Sequence, residues 1–210
     1  MYSDFKKKLN LYRRYHYWKN QRAIFIHVPK VAGTSINKAL YGRTLGHYTA
    51  LEIKTKFPTL YKDSFVFSFV RNPWSRVVSA YKFAKKGRTE SMGVRNPKQY
   101  QIPEFETFER FVKEWLVLQD VNKLDYIFQP QVLFLTDRNG DVITDYVEKL
   151  ENLADGVVEI EKYLGRKIKI GRANATSSTD DYRNYYNNKE LIGLVGNIYA
   201  DDIKKFGYEF

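Results

Sequence analysis

Two short apolar runs stand out along the chain, and each is followed by residues at helical spacing. The first covers Ala23–Val28 and the second covers Phe65–Val70. Continuous apolar runs of this length are typical of strands that are buried on both faces. After the first run, Ile36, Ala39 and Leu40 recur at the spacing of one helix face. The pattern therefore predicts a strand, a tight loop and a helix.

The second run leads into a helix in the same way. Asn72 is a suitable N-cap, and Pro73 stands where a proline at the first helical position belongs, so we expect a helix from Pro73 to about Lys86. Two strand-to-helix junctions of the same polarity predict βα units. The expected fold is a single-domain α/β protein in which helices flank a P-loop-like central parallel sheet. Ligands of such sheets bind at the carboxyl ends of the strands.

Weaker patterns predict the secondary structure of the other segments. A long loop is expected at Gly87–Pro103, since it is rich in Gly, Pro and Asn and has no clear period. The remaining predicted elements are a partly helical segment interrupted by Pro58 (Leu51–Tyr61), an amphipathic helix (Phe105–Trp115), a short β-prone stretch (Val142–Val147), a helix (Leu150–Leu164), a polar loop (Arg166–Tyr182) and a closing helix (Asn188–Phe206).

Composition narrows the class of protein. The 210 residues suffice for one well-buried domain and are few for two. Apolar residues make up 43% of the chain and aromatic residues 16%, which indicates an ordered core. Because there is no cysteine, disulfides, thiol nucleophiles and zinc sites with Cys ligands are excluded. There is no signal-peptide pattern and no apolar run of about 18 residues, so we expect a soluble protein without a transmembrane span.

The net charge of +11 is unevenly placed, since residues 1–22 contribute +6 of it. We expect this segment to be a basic N-terminal helical extension, followed by one domain over residues 23–210. Packing of the helix on the domain is the preferred interpretation, and peripheral contact with a membrane surface is the alternative. A basic protein favours polyanions, which include nucleic acid, anionic membranes and acidic nucleotides or glycans. Charge alone does not choose among them.

The loop after the first strand has the composition of an anion site. A loop between a strand and a helix points backbone N–H groups and a positive helix end into one concavity. Lys30 adds a cation, and Thr34 and Ser35 add hydroxyl donors. The nucleotide-binding P-loop pattern is not met, because the lysine precedes Gly33 instead of following a glycine. A helix start that is merely capped by Thr34 or Ser35 remains the alternative.

The second junction offers a separate anion site. Arg71 directly follows the second strand, and Ser79 lies on the helix that comes after it. An arginine there can pair bidentately with a phosphate, and a serine hydroxyl can donate one more bond. The alternative is an ion-paired Arg71 and a packed Ser79.

Together the two segments resemble the donor-binding motifs of the carbohydrate sulfotransferases, whose first loop begins His-x-Pro-Lys, here at His27–Lys30. The resemblance implies transfer of a sulfuryl group from 3′-phosphoadenylyl sulfate (PAPS), with adenosine 3′,5′-bisphosphate as product and no metal. Eukaryotic members of that family generally carry a membrane anchor, and because no such apolar segment is found here we expect a bacterial-type, cytoplasmic enzyme or a trimmed catalytic domain. The residues that the resemblance assigns to the 5′-phosphosulfate are Pro29, Lys30, Ala32, Gly33, Thr34 and Ser35. It assigns Arg71 and Ser79 to the 3′-phosphate.

Sulfuryl transfer needs a base for the attacking hydroxyl and charge stabilisation on the departing phosphate. Lys30 is the expected group for the second role. Of the three histidines, we expect His47 to be the base, because it lies between the two motifs where family members with a catalytic histidine tend to place it. His27 is expected to be a hydrogen-bonded structural residue, His16 to be inert, and a carboxylate such as Glu52 is the alternative base.

The acceptor is expected to be a carbohydrate hydroxyl, with an acidic polysaccharide or a glycolipid as candidates. Its binding surface is predicted near the long loop, where aromatic residues that can stack on sugars stand among basic ones, although a solvated basic loop is an equal alternative. The residues concerned are Tyr81, Lys82, Phe83, Lys85, Lys86, Arg88, Arg95, Lys98 and Tyr100. A nucleic-acid partner is not expected, and the oligomeric state is left open.

Three rival functions make different predictions. A P-loop-like kinase would depend on ATP and magnesium. A basic module that binds nucleic acid or another polyanion without catalysis would bind in a steeply salt-dependent manner and ignore the donor nucleotide. A degenerate sulfotransferase would bind the nucleotide without turnover.

Overall fold

The computed structural model describes residues 9–87, 93–94, 96–171 and 181–210. The chain forms two compact units. The first comprises Met1–Val70 and Phe134–Ala175, and the second comprises Arg71–Leu133 and Thr176–Phe210.

The first unit is built on a parallel sheet of three strands in the order β1-β2-β3. These strands are β1 (Ala23–Ile26), β2 (Phe65–Val70) and β3 (Tyr146–Lys149). Every residue of β1 and β2 is buried, as the continuous apolar runs predict. Parallel pairing brings the carboxyl ends of all three strands to the same edge of the sheet. The predicted α/β class with a central parallel sheet is confirmed.

A buried tyrosine completes the hydrogen bonds of β1, which lies at the edge of the sheet. The Tyr41 hydroxyl donates to the carbonyl oxygen of Ala23 at 3.1 Å and accepts from the N–H of Phe25 at 2.9 Å. An open strand edge exposes unpaired backbone groups. Tyr41 occupies two of these groups and thereby ties the helix that carries it to the sheet.

Helices cover the sheet of the first unit. Gly156 allows one of them to lie close to the sheet, because a Cβ at this position would stand 2.7 Å from the Phe69 ring and 2.9 Å from Glu148 Cγ. The helices of this unit are α1 (Tyr15–Gln21), α2 (Gly33–Tyr41), α3 (Ala50–Lys56), α4 (Pro58–Lys62) and α8 (Leu153–Leu164), with a 3-10 turn at Leu150–Asn152. The short helix α7 (Val132–Leu135) stands where the chain passes between the units.

The second unit is helical and has an aromatic core. Neighbouring rings among Phe105, Phe111, Trp115 and Phe128 have centroids 5.0 to 5.8 Å apart. Its helices are α5 (Pro73–Lys86), α6 (Phe108–Arg110), α9 (Lys189–Ile198) and α10 (Ala200–Phe206). It also has a π-helical stretch (Phe111–Trp115) and 3-10 turns (Pro97–Tyr100, Pro103–Phe105, Leu116–Leu118 and Tyr182–Tyr185).

Two predicted helices are wrong as single elements. The helix predicted over Phe105–Trp115 is divided, because the Thr107 side chain accepts from Arg110 N–H and caps a new helix at Phe108. The closing helix is interrupted at Tyr199, whose buried hydroxyl donates to the carbonyl oxygen of Phe128 at 2.7 Å. In both places a side-chain hydrogen bond overrides the helical spacing, a local bond at Thr107 and a long-range bond at Tyr199.

Two strand boundaries also differ from the prediction. β1 ends at Ile26 instead of Val28, since Val28 N–H turns back to the carbonyl oxygen of Ile26. The stretch predicted as Val142–Val147 forms a strand only from Tyr146, and Val142 makes an isolated antiparallel bridge with Thr136.

Candidate functional site

The loop after β1 has an unusual backbone. Lys30 and Ala32 both have a positive φ, 72° and 58°, in the left-handed region that few non-glycine residues adopt. Such conformations persist where the surroundings hold them, and they cluster at ligand sites. Helix α2 then begins at Gly33 with Ala32 as its N-cap and no side-chain cap. Thr34 and Ser35 therefore lie inside the first turn of α2, and neither is its N-cap.

Gly33 is required by a close approach of His27. A Cβ at this position would stand 1.9 Å from His27 Cδ2 and 2.1 Å from His27 Nε2. No side chain larger than hydrogen fits there unless the imidazole moves. The glycine of the loop thus seats a histidine ring directly beneath the start of α2.

His27 differs from the expected hydrogen-bonded histidine. It is 5% exposed, and its Nδ1 has no hydrogen-bond partner among the residues that the structure describes. Burial, and then the nearby His47, hold the pKa of His27 well below its usual value. His27 is therefore a neutral, buried imidazole. The expectation of a fully hydrogen-bonded side chain is wrong.

His47 lies against His27. Its Nδ1 is 2.8 Å from the carbonyl oxygen of His27, and the two ring centroids are 4.1 Å apart. The segment before His47 is anchored to α2, because Leu45 N–H donates to the buried side chain of Asn37 at 3.3 Å. The first unit thus brings the predicted base to His27, which precedes the Pro29–Ser35 loop.

Glu52, the alternative base, has a structural partner. Its carboxylate accepts from Thr49 N–H at 2.8 Å, while its own N–H donates to the Thr49 hydroxyl at 3.1 Å. This capping box starts helix α3. The contact gives Glu52 a local role that requires no substrate.

The second junction has the predicted helix start. The Asn72 side chain accepts from the N–H groups of Trp74 and Ser75, and Pro73 is the first helical residue. Arg71 precedes this cap, and its Nε donates to Ser75 Oγ at 3.0 Å. Ser79 lies one turn beyond Ser75 on α5 and is half-buried. Arg71, Ser75 and Ser79 therefore follow one line along the start of α5.

A buried polar cluster in the second unit was not predicted to belong to the site. It joins Gln131, Asp202 and Arg76, which are at most 1% exposed. Asp202 accepts two backbone N–H bonds, and burial raises its pKa. Arg76 donates to the carbonyl oxygens of Ile127 and Gln129, and its guanidinium lies over the Tyr199 ring. The bonds between Gln131, Val132 and Asp202 span 70 or 71 positions, so no local pattern in the sequence could have found them.

Two of the three aromatic residues predicted to stack on an acceptor are buried, and Phe83 is half-buried. Tyr81 and Tyr100 are 5% and 3% exposed, and the Tyr81 hydroxyl donates to the carbonyl oxygen of Phe105. They belong to the core of the second unit. Lys82 lies over the Tyr185 ring, while Arg88 and Arg95 fall outside the described residues. The predicted stacking on Tyr81 and Tyr100 is therefore wrong.

The predicted site residues thus fall into two groups. The first unit carries the Pro29–Ser35 loop together with His47, and the second unit carries Arg71 and Ser79. Within the described ranges, no cluster of three or more His, Asp or Glu side chains could hold a metal ion. Among the helices of those ranges, none has the length and apolar character that crossing a membrane requires.

The parallel sheet, with one loop following β1 and another β2, places the chain among P-loop-like α/β proteins. The model of the sulfotransferase family matches residues 13–209, nearly the whole chain, and the protein therefore belongs to that family. This confirms the resemblance and supports sulfuryl transfer as the general activity. The match starts inside the predicted N-terminal extension, so the boundary at residue 22 stays a prediction.

A relative from Archaeoglobus fulgidus, described as an uncharacterized protein, is 29% identical over 126 residues. The aligned region covers 59% of this chain and 87% of the relative. No solved structure matches the chain.

Proposed function

We propose that the protein transfers a sulfuryl group from PAPS to a hydroxyl of a carbohydrate acceptor, in line, with His47 as the general base. The observation that carries this proposal is the 2.8 Å contact between His47 Nδ1 and the carbonyl oxygen of His27. A carbonyl oxygen only accepts hydrogen bonds, so His47 Nδ1 is the protonated nitrogen. In the neutral ring, Nε2 then carries the lone pair that a base needs.

The chemistry follows from this tautomer. His47 Nε2 takes the proton of the acceptor hydroxyl as its oxygen attacks the sulfur of the donor. A new S–O bond forms while the bond from sulfur to the bridging phosphate oxygen breaks, and the electron pair leaves with adenosine 3′,5′-bisphosphate. The resulting imidazolium keeps its Nδ1–H on the His27 carbonyl oxygen, which is an orientation that stabilises the added charge.

Lys30 is proposed to stabilise the leaving phosphate. It lies in the loop with left-handed residues and is half-buried, where a cation acts more strongly than in bulk water. The N–H groups at the start of α2 and the hydroxyls of Thr34 and Ser35 are proposed to hold the 5′-phosphosulfate, together with Pro29, Ala32 and Gly33 of the same loop.

The 3′-phosphate is proposed to bind Arg71 and Ser79. Ser75 already holds Arg71 Nε at 3.0 Å, which constrains the plane of the guanidinium. No metal is included, because lysine, arginine and backbone donors supply the positive field. The carbohydrate acceptor rests on the resemblance to carbohydrate sulfotransferases.

A transfer assay tests the proposal. PAPS is offered with a panel of neutral and acidic oligosaccharides, and sulfated product is measured for the wild type, His47→Ala and His16→Ala. His16 is an exposed histidine on α1 and serves as the matched control. We expect turnover to fall by about 10²- to 10⁴-fold in His47→Ala alone, as for loss of a general base. Full activity of folded His47→Ala would overturn the assignment of the base.

A further inference from the structure

The backbone of Arg71 is held by one buried side chain. Arg71 N–H donates to Gln131 Oε1 at 2.9 Å, and Gln131 Nε2 donates to the Arg71 carbonyl oxygen at 2.8 Å. The amide orientation is fixed, because a backbone N–H only donates and a carbonyl only accepts. A single carboxamide thus closes a ring of two hydrogen bonds on the residue that follows β2.

Burial makes these two bonds hard to replace. Gln131 is 0% exposed, so no water can take over its contacts with Arg71. Its position is fixed in turn by Asp202 on α10, which accepts from Gln131 N–H and from Val132 N–H, both at 2.9 Å. Asp202 is itself completely buried. The chain of contacts from Asp202 to Arg71 therefore has little freedom to shift.

A second contact holds the side chain of Arg71. Its Nε donates to Ser75 Oγ, so Gln131 fixes the backbone of Arg71 and Ser75 fixes the near side of the guanidinium. A bidentate arginine–phosphate pair depends on the orientation of the planar fork. A rotation of the Arg71 backbone would swing that fork away from a bound phosphate.

We propose that Gln131 is a positioning residue for the 3′-phosphate of the donor, acting through its two hydrogen bonds to the backbone of Arg71. This inference rests on the proposed function, since it takes Arg71 as the ligand of the 3′-phosphate. Gln131 itself does not touch the nucleotide. Its removal weakens recognition of the 3′-phosphate and leaves recognition of the rest of the nucleotide intact.

The test compares two nucleotides. Adenosine 3′,5′-bisphosphate and adenosine 5′-monophosphate differ only in the 3′-phosphate, so the Kd of the monophosphate divided by the Kd of the bisphosphate isolates its contribution. Both are titrated calorimetrically into the wild type, Gln131→Met and Gln129→Met. Gln129 is the matched control, because its side chain also donates to two backbone carbonyls, those of Asn122 and Leu124, and does not contact Arg71.

We expect Gln131→Met to lower that ratio by about five- to tenfold, the effect of two lost hydrogen bonds on a positioned group, with the Kd of the monophosphate unchanged. Gln129→Met should keep the wild-type ratio. A purely structural role for Gln131 would lower both affinities together. An unchanged ratio, or an equal loss for both nucleotides, overturns the proposal.

Two further measurements test the proposal if Gln131→Met does not fold. Gln131→Asn keeps a carboxamide but is too short to span both backbone groups of Arg71, and it should lower the ratio as Gln131→Met does. In the wild type, binding at Arg71 must strengthen the contact that supports it. Hydrogen exchange of the Arg71 amide should therefore slow more with the bisphosphate than with the monophosphate, and equal slowing overturns the proposal.

The failure of each hypothesis has its own signature. If the wild type does not prefer the bisphosphate over the monophosphate, the proposed function fails. If the wild type has this preference and folded Gln131→Met keeps it, only the role of Gln131 fails.

Discussion

His27 acts through two different parts of the residue. Its carbonyl oxygen fixes the tautomer of His47, and its ring fills the space that Gly33 leaves open. Protonation of the buried ring would place a positive charge where Nδ1 has no hydrogen-bond partner among the described residues. The neutral state of His27 is thus part of the packing beneath the start of α2.

This neutral state predicts how stability depends on pH. The pKa of His27 is lowered in the folded chain, so the unfolded chain binds one more proton below about pH 6.5. Its contribution to stability is complete above that pH. It declines as the pH falls, by up to about 1.4 kcal/mol per pH unit.

Urea unfolding between pH 7.5 and 5.5 measures this effect as the difference between the wild type and His27→Phe. We expect the slope of unfolding free energy against pH to be smaller in the variant. His16→Phe, at an exposed histidine, should keep the wild-type slope. Identical slopes for the wild type and His27→Phe would show that folding does not lower the pKa of His27.

At the scale of elements, the junction between β1 and α2 depends on a glycine, Gly33, which has no side chain to collide with His27. In Gly33→Ala the new methyl group would overlap the His27 ring, with Cδ2 at 1.9 Å. We expect a loss of about 1–3 kcal/mol in unfolding free energy from this overpacking, together with weaker nucleotide binding.

Gly193→Ala is the control for that change, because a Cβ on this residue of α9 meets no atom within 4 Å. It should raise stability by about 0.5–1 kcal/mol, as for alanine in place of glycine in a helix. The two variants are compared in urea. Equal stabilities would mean that the His27 ring yields to the added methyl group without loss.

The same elements show what could be predicted from the sequence. β2 and α5 were predicted with their observed bounds, since an apolar run, an N-cap and a first-turn proline are all local signals. The interruption at Tyr199 was missed, because it depends on a hydrogen bond to Phe128, which is 71 positions away. Local patterns contain no such information.

The residues of the candidate site also divide into those with local sequence signals and those that depend on long-range contacts. Lys30, Gly33 and Arg71 were identified from motifs that directly follow strands. The contacts of Gln131 with Arg71 and with Asp202 join residues 60 and 71 positions apart, and only the folded chain brings them together. Burial likewise removed Tyr81 and Tyr100 from the predicted acceptor surface, since spacing alone does not separate a core aromatic from a stacking one.

At the scale of the whole molecule, family membership and net charge both support the proposed nucleotide donor. The family match extends over residues 13–209 and includes both groups of predicted donor ligands. The net charge of +11 suits a polyanionic nucleotide. The central claim is that this nucleotide carries phosphate at both the 5′ and the 3′ position.

The most direct measurement is calorimetric titration with adenosine 3′,5′-bisphosphate, beside ADP with magnesium, on the wild type, Arg71→Ala and Arg110→Ala. Arg110 is the control arginine of the same unit, since it pairs with Glu106 and Glu114. We predict that the wild type binds the bisphosphate more tightly than ADP with magnesium. Arg71→Ala alone should weaken that binding, by about tenfold or more, through loss of a charge-assisted pair. A preference for ADP with magnesium, or binding that Arg71→Ala leaves unchanged, would contradict the account.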